Sequence, residues 1–147
     1  MNVSLRKFGV RDYFRILGYM LNREYSCERE NTFFQYLTRG LKSVRQNDSY
    51  EFAILSDGKF AGNIGIIQKE KDQELGYWVL KKFRSKGVAT RAVKEITAIA
   101  FKELGFTEII AMTSIENVPS QKVLKKNKFK IIKRDKKNKE LLWRLRK

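Results

Sequence analysis

The stretch "FRSKGVATRAV", residues 83–93, joins the strand-like run "ELGYWVL" (74–80) to a series of good helix formers. Gly87 and Ala89 carry almost no side chain, and Arg84, Lys86 and Arg91 surround them with positive charge. The first turn of a helix has backbone N–H groups without intrahelical partners, and the helix dipole adds partial positive charge there. Small residues at that point let a phosphate approach the backbone closely. A plain strand-to-helix turn, with a glycine for its backbone angles and lysines for solubility, fits the same residues. Other chemistry is limited by composition. With no histidine and a single cysteine, Cys27, the chain cannot build a Ser–His–Asp or Cys–His triad, a histidine-ligated metal site, an internal disulfide or a cysteine-held cluster. Carboxylates, hydroxyls, lysine and backbone groups remain, and no metal is expected.

These residues must be positioned by short elements. A length of 147 residues suits one domain, 1–147, and 42% hydrophobic content supports a packed core. No apolar run approaches the roughly 20 residues of a membrane span. The stretch "MNVSLRKFGVRDYF" lacks a signal-peptide core, so a cytoplasmic protein without membrane contact is expected. "VSLRKF" (3–8) alternates as a strand. Tyr13, Phe14, Leu17 and Leu21 recur at helical spacing, as do Phe33, Phe34, Leu37, Leu41 and Val44. Asp57-Gly58 between two β-rich runs predicts a hairpin. Residues 87–104 read as the longest helix, with Gly105 as its stop. "TEIIAMTS" is a strand, and "NVPSQKVLKKN" a short helix with Asn117 at or near its N-cap and Pro119 in its first turn. "FKIIKR" and "ELLWRLR" close the chain as strands around "DKKNK". The order is β-α-α-β-β-β-α-β-α-β-β, an α/β (α+β) fold on a mixed sheet of about seven strands.

Two motifs then stand in that order. Arg84-Ser85-Lys86-Gly87-Val88-Ala89 after "ELGYWVL" resembles the acetyl-CoA motif of the GNAT N-acetyltransferases, Q/R-x-x-G-x-G/A. "ENVPSQKVLKKNKF" (116–129) is similar to the N-x-x-S-x-x-V-L-x-K signature of their RimJ/RimL-type branch. The resemblance covers essentially the whole chain. It implies a GNAT domain whose fourth and fifth strands splay to admit CoA, with acetyl-CoA as cosubstrate. It further implies that backbone amides of Lys86, Gly87, Val88, Ala89 and Thr90 cradle the pyrophosphate and that Arg84 opens that loop. The main chain of Tyr77 and Val79 would pair with the pantetheine arm. Asn117 and Ser120 would face the arm and its thioester. Three positions depart from the pattern: Leu124 stands where many members have a tyrosine acid, Lys128 where a glycine precedes Phe129, and Arg91 where the branch often has an acidic residue.

Acetyl transfer to an amine needs a neutral nucleophile, and a carboxylate can take its proton, directly or through water. Glu74 is the first candidate, with Glu116 second; a solvent-facing glutamate at a strand start is the ordinary alternative for Glu74. Backbone N–H groups around Val79 could hold the developing negative charge on oxygen. Ser120 could protonate the leaving thiolate, or merely cap a helix. Tyr77 and Trp78 alternate, so at least one belongs to the core. Tyr25, Phe33 and Tyr36 read mainly as packing and Cys27 as inert.

A net charge of +16 and a pI near 10.1 attract polyanions. That charge disfavours a polycationic small amine as acceptor and fits an acidic peptide or a protein presented on a ribosome; with the resemblance, a protein N-terminal amine is the expected acceptor. The alternatives are a small-molecule amine acetyltransferase and a noncatalytic ribosome- or RNA-binding module on the same fold. The basic segment 122–147 supports the module, but only Phe129 and Trp143 supply aromatics there, so nucleic-acid association is not favoured. Monomer and homodimer both remain open.

Overall fold

The structure, a computed structural model, describes residues 1–22, 49–69 and 72–147. Its elements are β1 (Val3–Lys7), α1 (Val10–Leu21), β2 (Ser49–Ser56), β3 (Lys59–Lys69), β4 (Asp72–Val79), α2 (Val88–Lys102), β5 (Glu108–Ser114), α3 (Val118–Lys126), β6 (Lys130–Asp135) and β7 (Glu140–Arg146). A single 3-10 turn, Lys81–Phe83, lies between β4 and α2. The expected second helix and its residues Phe33, Phe34, Leu37, Leu41 and Val44, together with Tyr25, Cys27 and Tyr36, fall outside the described residues.

The strands form one seven-stranded sheet in the order β1-β2-β3-β4-β5-β7-β6. Asp57 and Gly58, both at positive φ, make the two-residue turn of the β2–β3 hairpin. Neighbouring strands are antiparallel except β4 and β5, which run parallel across the α2 crossover.

The two faces of the sheet are covered differently. Ile64, Ile66, Leu75 and Val79 pack with Val88, Ala92, Val93, Ile96 and Ala100 of α2 and with Leu124 of α3. Trp78, Ala53 and Phe60 pack with Ile16 on the α1 side. Trp78 is therefore core, as alternation required of one of the pair.

The α1 stripe differs from its expected face. Phe14 and Leu21 are exposed, whereas Asp12 and Ile16 are buried and Tyr19 and Met20 pack beside them. The reason is the carboxylate. Asp12 accepts two bonds from Arg6 of β1 at 2.7 and 2.9 Å and one from the Gly9 N–H at 2.9 Å. Those charge-assisted bonds fix the rotation of the helix at its first turn and bring the Asp12–Ile16 stripe onto the sheet.

Candidate active site

The parallel pairing of β4 with β5 is short. It covers Glu74 with Ile110 and Leu75 with Ala111, and beyond Leu75 the two strands part. The Leu80 N–H donates to the Ala61 carbonyl across the β3–β4 ladder at 2.8 Å. That phase turns the main chain of Trp78 toward β3 and the main chain of Tyr77 and Val79 toward the opening. The main chain of Tyr77 and Val79 therefore borders the splayed edge of β4.

Above the opening the chain makes the 3-10 turn and enters α2. Ser85 and Gly87 are both left-handed, with φ of 59° and 77°. Gly87 is the N-cap and contributes no side-chain cap, so the first-turn N–H groups of α2 are left to a ligand or solvent. Gly87 and Lys86 are exposed, and a Cβ at Gly87 would meet no described atom within 4 Å. Val88 is buried beneath, and Ala89 and Thr90 are half-buried. Arg84 is turned back: its Nε donates to the Val79 carbonyl at 2.8 Å, tying the loop to the end of β4.

The other wall is α3. Asn117 is its N-cap, and Asn117 Oδ1 accepts from the Ser120 N–H at 3.1 Å. The Ser120 hydroxyl is therefore spare, and it meets the Tyr77 hydroxyl at 2.7 Å. Burial pushes the Tyr77 phenol up to about 12, a rise that the bond to Ser120 only partly offsets. Sequence reasoning assigned only the main chain of Tyr77; the phenol's meeting with Ser120, 43 residues away, needed the fold. Asn127 was also missed. Its Nδ2 donates to the Thr90 carbonyl at 3.2 Å and the Val123 carbonyl at 2.9 Å, bracing α3 against the first turn of α2. Leu124 is fully buried in the core, so the usual tyrosine position faces no opening here.

Of the carboxylates, Glu74 lies in the last paired part of β4, half-buried, on the α1 side of the sheet. Glu116 is exposed in the turn before α3 and pairs with Lys139 at 3.7 Å. Among the described residues no group of His, Cys, Asp and Glu could hold a metal ion.

Residues 5–130 match the acetyltransferase (GNAT) domain. The chain belongs to the GNAT acetyltransferase family. It is 32% identical over 76 residues to YdaF of Bacillus subtilis, which carries the name ribosomal N-acetyltransferase; the match covers 50% of this chain and 42% of YdaF, less than half its length. Two solved structures share the fold. RimL, a ribosomal L7/L12 alpha-N-protein acetyltransferase in complex with coenzyme A, superposes with a TM-score of 0.81 at 12% identity, covering 99% of this chain and 94% of RimL. The Campylobacter jejuni N-acetyltransferase PseH in complex with acetyl coenzyme A gives a TM-score of 0.75 at 19% identity, covering 99% of each chain. No described helix is long and apolar enough to cross a membrane.

Proposed function

We propose that this protein transfers the acetyl group of acetyl-CoA to a primary amine, with a protein N-terminal amine as the acceptor class. The observation that carries the reading is the parting of β4 from β5 after Leu75, directly below an uncapped helix start. An extended arm can add to a strand edge only where the neighbouring strand has left it. A pyrophosphate suits backbone N–H groups that no side chain has claimed.

In this reading the amides from Lys86 to Thr90 hold the pyrophosphate. The main chain of Tyr77 and the Val79 N–H hold the arm, while the Val79 carbonyl is already bonded to Arg84. Asn117 places Ser120 through its N-cap bond and faces the arm. Acetyl-CoA supplies an acetyl group on a good leaving group. The amine loses its proton to a carboxylate on the α1 side, for which Glu74 is the candidate. The leaving thiolate takes a proton from Ser120, which is backed by the neutral Tyr77 phenol. The ribosomal names of YdaF and RimL support a protein N-terminus over a small amine.

The test is acetyl-CoA binding followed by acceptor screening. A ligand bound only by the folded form raises stability by about 2.7 kcal/mol at a hundred times Kd, several degrees of Tm. Gly87→Glu should abolish that shift, because it crowds the phosphate and brings like charge. Gly87→Ala, which carries the same backbone strain without the charge, should keep part of it. No shift at millimolar acetyl-CoA in the parent protein rejects the reading. A peptide panel bearing free α-amines, run against small amines and polyamines, then decides the acceptor class.

A further inference from the structure

Glu51 takes no part in the site described so far, yet it occupies an unusual place. It sits on β2, and the register across the sheet aligns Glu51 with Gly65 on β3 and Gly65 with Gly76 on β4. Residues directly opposite in antiparallel ladders share a face. The three therefore form one row on the α1 side of the sheet, a carboxylate followed by two positions with no side chain. The row ends at Gly76, the residue that follows the last β4–β5 pair.

The carboxylate leans along this row. A Cβ at Gly65 would come within 3.0 Å of Glu51 Cγ, so the side chain lies over that glycine and depends on it. Gly76 is exposed, and a Cβ there would meet no described atom within 4 Å. The Glu51 side chain thus covers Gly65, and Gly76 is the open floor of the row. The row spans two strand spacings, about 10 Å, from Glu51 to the edge of β4.

Among the described residues, no cation pairs with Glu51. From α1, the Tyr13 hydroxyl donates to Glu51 Oε2 at 3.2 Å. Arg6 of β1, on the same face, is engaged by Asp12 at 2.7 Å rather than by Glu51. In the next row of that face Asn63 Oδ1 is buried without a hydrogen-bond partner among the described residues, and its dipole adds to the negative potential. Burial raises the Glu51 carboxyl above its ordinary value, and the Tyr13 bond partly offsets this. A carboxylate kept in a site that disfavours its charge is not explained by stability.

We propose that Glu51, lying over Gly65 beside the open floor at Gly76, receives the acceptor as its ammonium form and delivers it to the opening between β4 and β5. The inference rests on the acetyltransferase reading and adds to it a specificity-determining residue. The acceptor class it fits is a monocationic α-amine on a small first residue, because the open floor at Gly76 is one missing side chain wide. In a chain of net charge +16 a cationic acceptor is repelled at long range. A local carboxylate supplies the short-range attraction that the whole molecule lacks. Glu51 binds and orients; it is not the base.

The experiment compares Glu51→Gln and Gly76→Val with the parent protein, using the α-amine peptide turned over fastest in the acceptor panel. Glu51→Gln should raise KM for the amine about 10–100-fold, the loss expected for a hydrogen bond to a charged group, with kcat changed much less. Its acetyl-CoA thermal shift should match the parent's. The acid limb of kcat/KM for the amine, displaced upward from the ordinary carboxylate range in the parent, should disappear. Its Tm at neutral pH should be equal to or above the parent's, because removing a carboxylate whose folded pKa is raised relieves a cost that grows as pH rises through that pKa. Gly76→Val fills the floor at an open position and should raise KM for the amine with acetyl-CoA binding kept. An unchanged KM and an intact acid limb in Glu51→Gln, with acetyl-CoA binding and turnover normal, overturn the proposal while leaving the acetyltransferase reading in place. Absence of any acetyl-CoA shift in the parent overturns both.

Discussion

Tyr77 and Ser120 show how the fold brings two ordinary hydroxyls together. The Asn117 side chain occupies the Ser120 N–H and leaves the Ser120 hydroxyl to Tyr77. The phenol, raised to about 12, stays protonated throughout the physiological range and can donate. Tyr77→Phe should lower kcat about 10²-fold, the low end for a positioned acid, because a thiol near pKa 8.5 leaves readily. Acetyl-CoA binding should be kept. The phenol also sets a stability signature. Its folded pKa lies above the ordinary 10, so its contribution is complete below pH 10 and fades as pH rises toward 12. Alkaline unfolding curves of the parent should show this loss, and those of Tyr77→Phe should lack it. For Glu74→Gln, turnover at pH 7 should fall about 10²–10⁴-fold and recover at high pH, where the amine deprotonates unaided. Unchanged turnover would remove Glu74 as the base.

At the level of elements, the ends of α2 and α3 carry their own arguments. After α3, the Phe129 N–H donates to the Leu124 carbonyl and the Lys128 N–H to the Lys125 carbonyl, with Lys128 at φ 65°. This is a Schellman ending, and Leu124 and Phe129 meet in the core as it requires. Its left-handed position ordinarily belongs to glycine, so Lys128 is a local strain. Lys128→Gly should raise stability by about 1 kcal/mol, visible as a Tm increase of about 3 °C. The opposite effect is expected at Gly62 of β3, where a Cβ would lie 2.0 Å from the Trp78 carbonyl oxygen. Gly62→Ala must push β3 from β4 and should cost about 3 kcal/mol, the upper range for overpacking. Denaturant midpoints measure both.

For the whole molecule, the basic surface is the open matter. Lys125, Lys126, Lys128, Lys130 and Lys133 are all exposed, on α3, the turn after it and β6. If they serve solubility, replacing all five by Ser leaves the soluble reaction and acetyl-CoA affinity within a few-fold of the parent, and this is the expected result. Exposed charge contacts are each worth about 1 kcal/mol or less, so partial contact with the 3′-phosphate would give only a modest loss of affinity. Ribosome co-sedimentation that is steeply salt-sensitive and lost in the variant would instead assign this face to a ribosomal substrate.

Much of this protein is legible in its residues taken alone. Periodicity gives the described strands and helices, Asp57-Gly58 the hairpin, Gly105 the end of α2, and Asn117 the cap of α3, because each depends on neighbours within a few positions. The loop at 84–90 is legible for the same reason, since a helix start and a left-handed glycine are local facts. Three features depend on contacts that no local pattern encodes. The rotation of α1 depends on Arg6 and Asp12 meeting across a turn, which helical spacing of apolar residues cannot reveal. The Tyr77–Ser120 pair depends on where α3 lies against β4. The row from Glu51 through Gly65 to Gly76 exists only because strand register sets three distant residues side by side, and register is decided by the sheet as a whole.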